Sequence, residues 1–365
     1  MSLFSLASGA HAETVANDGI VNLGMSLPLS GPQASNGLAL KGGVESYLQY
    51  VNQNGGIFGR RIQLVALDDG DDVARTVANT KKLLDESRVL ALLGYHGTAA
   101  AEAVLPLLAV AGVPLIGPTS GAESLHEPFN RHVFNLSASY KEETEAILNQ
   151  LDFQTLIEVA VLHQNDRFGQ TGLKDAEAVM LKLSLRKNSV GVVATNSRDV
   201  AQAVKTIAEG KPQAVLMICS PLSAAEFIRQ MHKAGLFPQF IAASYMDVGA
   251  LFKELGPEAR GIAISQVVPF PWGSDLPLLR QYQMLAKQHS AQPISVYGLQ
   301  GFMAAKLAVE AMQKAGRNLS REKLLSTLEA DYDLGGYRLR FRRDNHSGSK
   351  YTEMTVITRD GKLSR

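Results

Sequence analysis

The chain has 365 residues, more than one comfortable hydrophobic core, so two domains or lobes are expected. Hydrophobic residues make up 45% and charged residues 19%, ordinary globular values that exclude wholesale disorder. With 36 basic and 35 acidic residues the formal net charge is +1, so no global field favours nucleic acid or an anionic membrane, and no apolar run is long enough to span a bilayer.

At the N-terminus, the mildly apolar run Leu3–Gly9 leads to Ala10-His11-Ala12, the small-x-small pattern of a secretory cleavage site. Lys41 is the first basic residue, so the charged start of a signal peptide is missing. Residues 1–19 read as a signal-peptide remnant and leader, with cleavage after Ala12 and export. Ile20–Leu27 then reads as a strand, followed by the turn Pro28–Pro32 and a helix from about Asn36 to Asn52. Leu40, Val44, Tyr47, Leu48 and Val51 recur at helical spacing, and Asn54-Gly55-Gly56 stops the helix. Arg61–Leu67 is the next strand and runs into Asp68-Asp69-Gly70-Asp71-Asp72. Counted from Asp68, the glycine and glutamate places of a calcium loop hold Val73 and Asn79, so the cluster is read as the cap of a helix over Val73–Ser87.

The stretch Val89–Ala122 organises the rest. It reads as a buried strand (Val89–Leu93), a turn (Gly94–Thr98), a helix (Ala99–Val110), a second strand (Val113–Ile116) and a second polar turn (Gly117–Gly121). Continuous apolar strands joined by a helix fit a right-handed parallel crossover covered on both faces. Both turns then leave the carboxyl edge of one sheet, where open α/β sheets bind ligands. His96 is the histidine expected there, with Tyr95 offering a stacking face and Gly97, Thr98, Thr119, Ser120 and Gly121 offering hydroxyls and backbone donors.

Arg131–Leu136 reads as a strand and Tyr140–Leu151 as a helix, with the chain dividing near Asn135–Ser139. Strands at Leu156–His163, Val190–Thr195, Ala214–Cys219 and Phe240–Ala243 alternate with helices beginning near Thr171, Asp199, Ser223 and Asp247. Ile262–Val268 is a further strand, and helices over Leu276–His289, Val296–Ala315 and Arg321–Glu329 follow. Gly336–Arg342 and Thr352–Thr358 are expected to close as strands, the first with Arg338, Arg340 and Arg342 on a solvated face. Two sets of β-α repeats without a low-complexity linker imply lobes joined by short crossovers, which permit hinge closure. Cys219, the single cysteine, falls inside an apolar run and is expected to be an inert buried thiol.

Catalytic and cofactor signatures fail on inspection. Gly112–Thr119 has the spacing of a phosphate loop, but Pro118 replaces the lysine; His126-Glu127 starts like a zinc-protease helix, but Pro128 breaks it and Asn130 takes the second histidine place. No dinucleotide fingerprint or Gly-x-Ser-x-Gly elbow occurs. No enzyme, cofactor or metal is expected.

The runs Leu27-Pro28-Leu29-Ser30-Gly31-Pro32, Val51–Ile57 and Leu67-Asp68-Asp69 resemble the opening of type I periplasmic solute-binding proteins, specifically the leucine/isoleucine/valine-binding-protein class of ABC transporters. Gly117–Ser120, Gln164–Gly169 and Arg229–Gly235 continue the match in order, over about residues 20–358. The resemblance implies an α/β fold of two Rossmann-like lobes joined by three short crossovers, with a ligand trapped between them. The lobes are expected over 20–136 plus 268–338 and over 137–267 plus 339–365. It implies a hydroxyl contact at Thr98, hydroxyl or backbone contacts at Thr119 to Gly121, and an aromatic at Phe168 from the other lobe. Where the family often has a threonine, this chain has Gly121; Ser244 stands where it has an acid for the ligand ammonium, and Asn36 and Ser220 replace aromatics. An ammonium would therefore need another acceptor, Asp166 and Asp247 being nearest in sequence. Tyr245 completes the set of expected ligand contacts.

The expected function is capture of a small polar ligand, an amino acid or related carboxylate or amide, and its delivery to an ABC permease by a monomeric protein that neither inserts in the membrane nor binds nucleic acid. The competing reading is a ligand-sensing receptor module of the same fold; an enzyme ranks last.

Overall fold

A computed structural model describes residues 19–365. The expected cleavage site at Ala10–Ala12 lies outside the described residues. The chain forms two compact units: one comprises the chain up to Thr119 with Ser124–Leu136 and Pro271–Ser349, the other Ser120–Glu123, Ser137–Phe270 and Lys350–Arg365.

The first unit is a doubly covered parallel sheet. Its strands β1 (Ile20–Leu27), β2 (Arg61–Asp68), β3 (Ala91–Leu93), β4 (Leu115–Ile116) and β5 (Val133–Phe134) lie in the order β2-β1-β3-β4-β5. Every pairing is parallel. Helices α1 (Ala34–Gln53), α2 (Val73–Asp85) and α3 (Thr98–Ala111) are its crossovers. Asp72 caps α2 by accepting the Arg75 N–H at 2.8 Å, as the acidic cluster implied. β5 is shorter than the sequence pattern suggested. The Asn130 side chain takes the His132 N–H at 2.9 Å, and the Asn135 N–H turns to the His346 carbonyl at 2.9 Å.

The second unit carries α4 (Tyr140–Phe153), β6 (Glu158–Gln164), α5 (Arg167–Leu183), β7 (Arg186–Val193), α6 (Ala201–Gly210), β8 (Ala214–Ile218), α7 (Pro221–Lys233), β9 (Gln239–Ala242), α8 (Val248–Leu255) and β10 (Ala263–Gln266). Strand β7 begins four residues before the expected Val190, because Arg186 and Lys187 pair with Glu158 and Val159 of β6. Its polar start suits an edge strand, and Arg186 meets the Glu158 carboxylate at 3.0 Å.

The chain then returns to the first unit for α9 (Pro277–His289), α10 (Val296–Ala315), α11 (Arg321–Leu328), β11 (Asp331–Asp333) and β12 (Arg338–Arg340). The expected closing strand at Gly336–Arg342 does not join a large sheet. Its centre, β12, pairs antiparallel with β11 as a separate two-stranded sheet. The passage to the second unit accordingly falls after Ser349, whereas the sequence suggested 338. There β13 (Glu353–Ile357) and β14 (Leu363–Ser364) complete a seven-stranded sheet in the order β14-β13-β10-β9-β8-β6-β7. Only β13 and β14 run antiparallel to their neighbours. Cys219 is buried, and burial pushes its thiol up to about 12, which makes it inert. Among the described residues no helix is long and apolar enough to cross a membrane.

Candidate functional site

In the first unit the turns after β3 and β4 run side by side. His96 and Thr119 form an isolated parallel bridge, and the Thr119 N–H donates to the Tyr95 carbonyl at 2.9 Å. Both turns therefore leave the same carboxyl edge, as the parallel register Leu92–Leu115 and Leu93–Ile116 requires. Gly97 opens α3 at φ +82°, a backbone conformation that disfavours side chains, and this lets Thr98 begin the helix directly after the strand. A helix start of this kind attracts an anionic or carbonyl oxygen. The His96 ring lies 5.4 Å from that of Tyr297 on α10, a neighbour that a sequence separation of 201 residues concealed. Thr119 also donates its hydroxyl to the Tyr95 carbonyl at 3.3 Å.

Tyr95 itself is a correction. Its side chain is fully buried among Leu83, Val104 and Leu108, and its hydroxyl meets that of Thr80 at 2.7 Å. Odd and even positions of a strand point to opposite faces, and the parity that sends Tyr95 inward leaves His96 at the edge. Asn36 spends its amide on the Gln33 side chain at 2.9 Å, within the first turn of α1. Nearby, the Ser30 hydroxyl and the Leu29 and Gly70 N–H groups hold the Asp68 carboxylate down to about 2. Burial raises Asp71, and the His96 ring partly offsets this.

The second unit has its own carboxyl edge. Ser120 accepts the Ala122 N–H at 3.2 Å, closing the turn that holds Gly121. Phe168, second residue of α5, meets the Tyr245 ring at 4.8 Å. Tyr245 donates its hydroxyl to the Met217 carbonyl. Ser220 caps α7 by accepting the Ser223 N–H at 3.3 Å. Asp166 and Asp247, the acids nearest in sequence, cap α5 and α8 through the Gly169 and Ala250 N–H groups.

Two residues of this edge were not singled out from sequence. Tyr140 places its ring 5.8 Å from Phe168 and 5.5 Å from Tyr245. Glu143 is completely buried and accepts the Ser244 N–H at 2.8 Å, the Ser244 hydroxyl at 2.7 Å and the Ser265 hydroxyl. Burial pushes its carboxyl up to about 7, against the pull of those three donors. The signal was present: Glu143, Ile147 and Leu151 fall at four-residue spacing on one face of α4. An open groove of about 660 Å³ in this unit, walled by Arg260, Val356 and Thr358 among others, lies at the amino end of β10, the edge opposite these side chains. Among the described residues no group of three or more His, Cys, Asp or Glu is placed to hold a metal.

Two parallel-sheet units exchanging the chain through short crossovers, with polar turns at the carboxyl edges, define a two-lobed α/β binding protein of the type I periplasmic class. The chain belongs to the family described as periplasmic binding protein, whose sequence profile matches residues 20–362. It is similar to a substrate-binding periplasmic protein of Ralstonia solanacearum, at 32% identity and TM-score 0.81 over 94% of this chain and 99% of that one. A possible leucine/isoleucine/valine-binding protein of Rhodopirellula baltica matches at 29% identity and TM-score 0.83, over 95% and 96% of the two chains. An amino acid binding protein of Pseudomonas aeruginosa is 25% identical over 87% of this chain and 83% of its own. The family and fold are those of binding proteins, not of enzymes.

Proposed function

We propose that the protein is an extracytoplasmic solute receptor that captures a small polar ligand, an amino acid or a related carboxylate or amide, and delivers it to the permease of an ABC transporter. The observation that carries this reading is the pairing of the His96 and Thr119 turns at one carboxyl edge, in a chain of the periplasmic binding protein family. Thr98 and the start of α3 supply hydroxyl and N–H donors, which suit a carboxylate through charge-assisted bonds, and Thr119 ties the second turn to the first. The names of the Pseudomonas and Rhodopirellula relatives point to amino acids. The mature chain begins at Glu13 in the periplasm and acts as a monomer.

Mass spectrometry of the protein purified natively should find one small carboxylate or amide at near-equal stoichiometry. Deleting the gene should abolish uptake of that solute. A protein that carries no solute, in cells whose uptake is unchanged, would remove both halves of the proposal.

A further inference from the structure

Resting on the receptor reading, we propose that Tyr140, Phe168 and Tyr245 form an aromatic platform that seats the apolar body of the ligand, and that the ligand brings no ammonium to this edge. The solute class is a small carboxylate with a ring or branched hydrocarbon body.

The three rings arrive from separate places: the first residue of α4, the second of α5 and the loop after β9. All three pairs are edge-to-face, with interplanar angles of 79°, 87° and 81°. This is the favoured arrangement of aromatic quadrupoles, and it fixes each ring through the other two. Each residue is partly exposed. Tyr245 has turned its polar end to the Met217 carbonyl and packs on both core clusters of its unit, and Phe168 has no polar end. What these two offer outward is ring surface. Gly121 belongs to the same arrangement: a Cβ there would stand 2.7 Å from Tyr140 Cδ1 and 2.8 Å from its backbone nitrogen. A side chain at 121 and this position of Tyr140 exclude one another.

The charges nearby argue against an ammonium. Glu143 already accepts three hydrogen bonds. Asp166 accepts from the Gly169 N–H at 2.9 Å, the Gln164 amide at 2.6 Å and the Thr195 hydroxyl at 2.9 Å. Asp247 holds the Ala250 N–H at 2.8 Å. Glu143 and Asp166 are thus each shared among three donors of their own unit and Asp247 is spent as the cap of α8, so an arriving ammonium would have to share an acceptor rather than find one set aside for it. Lys141 and Arg167, the neighbours of Tyr140 and Phe168 in sequence, are exposed cations and add no acceptor.

Calorimetry on the full chain with two matched pairs tests this: 3-phenylpropanoate against L-phenylalanine, and 4-methylpentanoate against L-leucine. The ammonium-free member of at least one pair should bind roughly tenfold more tightly than its amino acid. Tyr140→Ala should weaken that member about tenfold while Tyr140→Phe retains it, as ring stacking requires. If Tyr140→Ala does not fold, Phe168→Leu serves, since it keeps an apolar side chain and removes the ring. Tighter binding of the amino acid in both pairs, or of neither member while the co-purified solute carries an ammonium, would overturn the proposal and leave the receptor reading standing. Unchanged affinity in the ring variants would also overturn it. If no member of either pair binds and no solute co-purifies, the receptor reading falls as well.

Discussion

Two buried titratable side chains, His346 in the first unit and Glu143 in the second, are of opposite kind. In the first unit, His346 is 3% exposed and stacks on Phe134 with ring centroids 3.9 Å apart, Phe129 lying edge-on at 4.8 Å. Burial pushes it down to about 4, with Arg131 and His132 adding to the effect and the Glu329 carboxylate 3.9 Å away. In the second unit, Glu143 sits among hydroxyls and one N–H, and burial pushes it up to about 7. The same desolvation keeps a base and an acid neutral, so acid acts on the two units with opposite sign.

Removing the acid should have the largest effect. Glu143→Ala leaves the part-buried Ser244 N–H and two hydroxyls without their acceptor, at a cost of about 2–4 kcal/mol in chemical denaturation. A loss under about 1 kcal/mol would mean that the carboxyl is not the hub of these bonds.

The pH response comes next. Glu143 is raised from 4.5, so its stabilisation is complete below pH 4.5 and is lost as pH rises through about 7. His346 is lowered from 6.5, so its stabilisation is complete above pH 6.5 and is lost as pH falls through about 4. Each swing is of order 3 kcal/mol, and between pH 4.5 and 6.5 they oppose one another. Trp272, the single tryptophan, belongs to the first unit. Its emission in denaturant should show that unit weakening with acid in the wild type and much less so in His346→Phe. Hydrogen exchange in α4 should show the second unit strengthening, an effect absent in Glu143→Gln. Parallel responses of the two units would break the comparison.

The carboxyl edges differ in a way that governs how much of them could be read in advance. The first unit's edge is built from turns contiguous in sequence: Gly94–Thr98 and Gly117–Thr119 flank α3, and their pairing follows from the crossover rule. The second unit's edge is assembled from residues up to 124 positions apart, Gly121 to Tyr245, and no local pattern joins them. Ile20–Leu27 and Val296–Ala315 were legible to the residue: apolar side chains recur through the strand up to the turn at Pro28, and an apolar stripe defines the helix. Polar β7 and the short β11 and β14 were not, since edge strands carry charges and tiny strands carry no period. Tyr95 was placed on the wrong face for want of a way to fix the parity of a three-residue strand.

Two smaller effects sharpen the contrast between the edges. Thr98→Val should keep stability nearly intact and weaken solute binding by about 1–3 kcal/mol in calorimetry, the cost of unpairing a polar group on the ligand. Equal affinity in the variant would place the anchor in another turn. Ser120→Ala should do the reverse, costing about 0.5–1.5 kcal/mol of stability through the lost Ala122 bond with affinity nearly unchanged. A binding defect without a stability loss would instead assign Ser120 to the ligand.

Recognition at the carboxyl edges is tested most directly by hydrogen exchange with and without the co-purified solute at saturation. Protection is expected in peptides covering Gly94–Thr98 and Gly117–Gly121 of the polar turns, and in those carrying Tyr140, Phe168 and Tyr245. Protection confined to Arg260–Gly261 and Val356–Ser364, around the groove at the opposite edge of the second sheet, would contradict it.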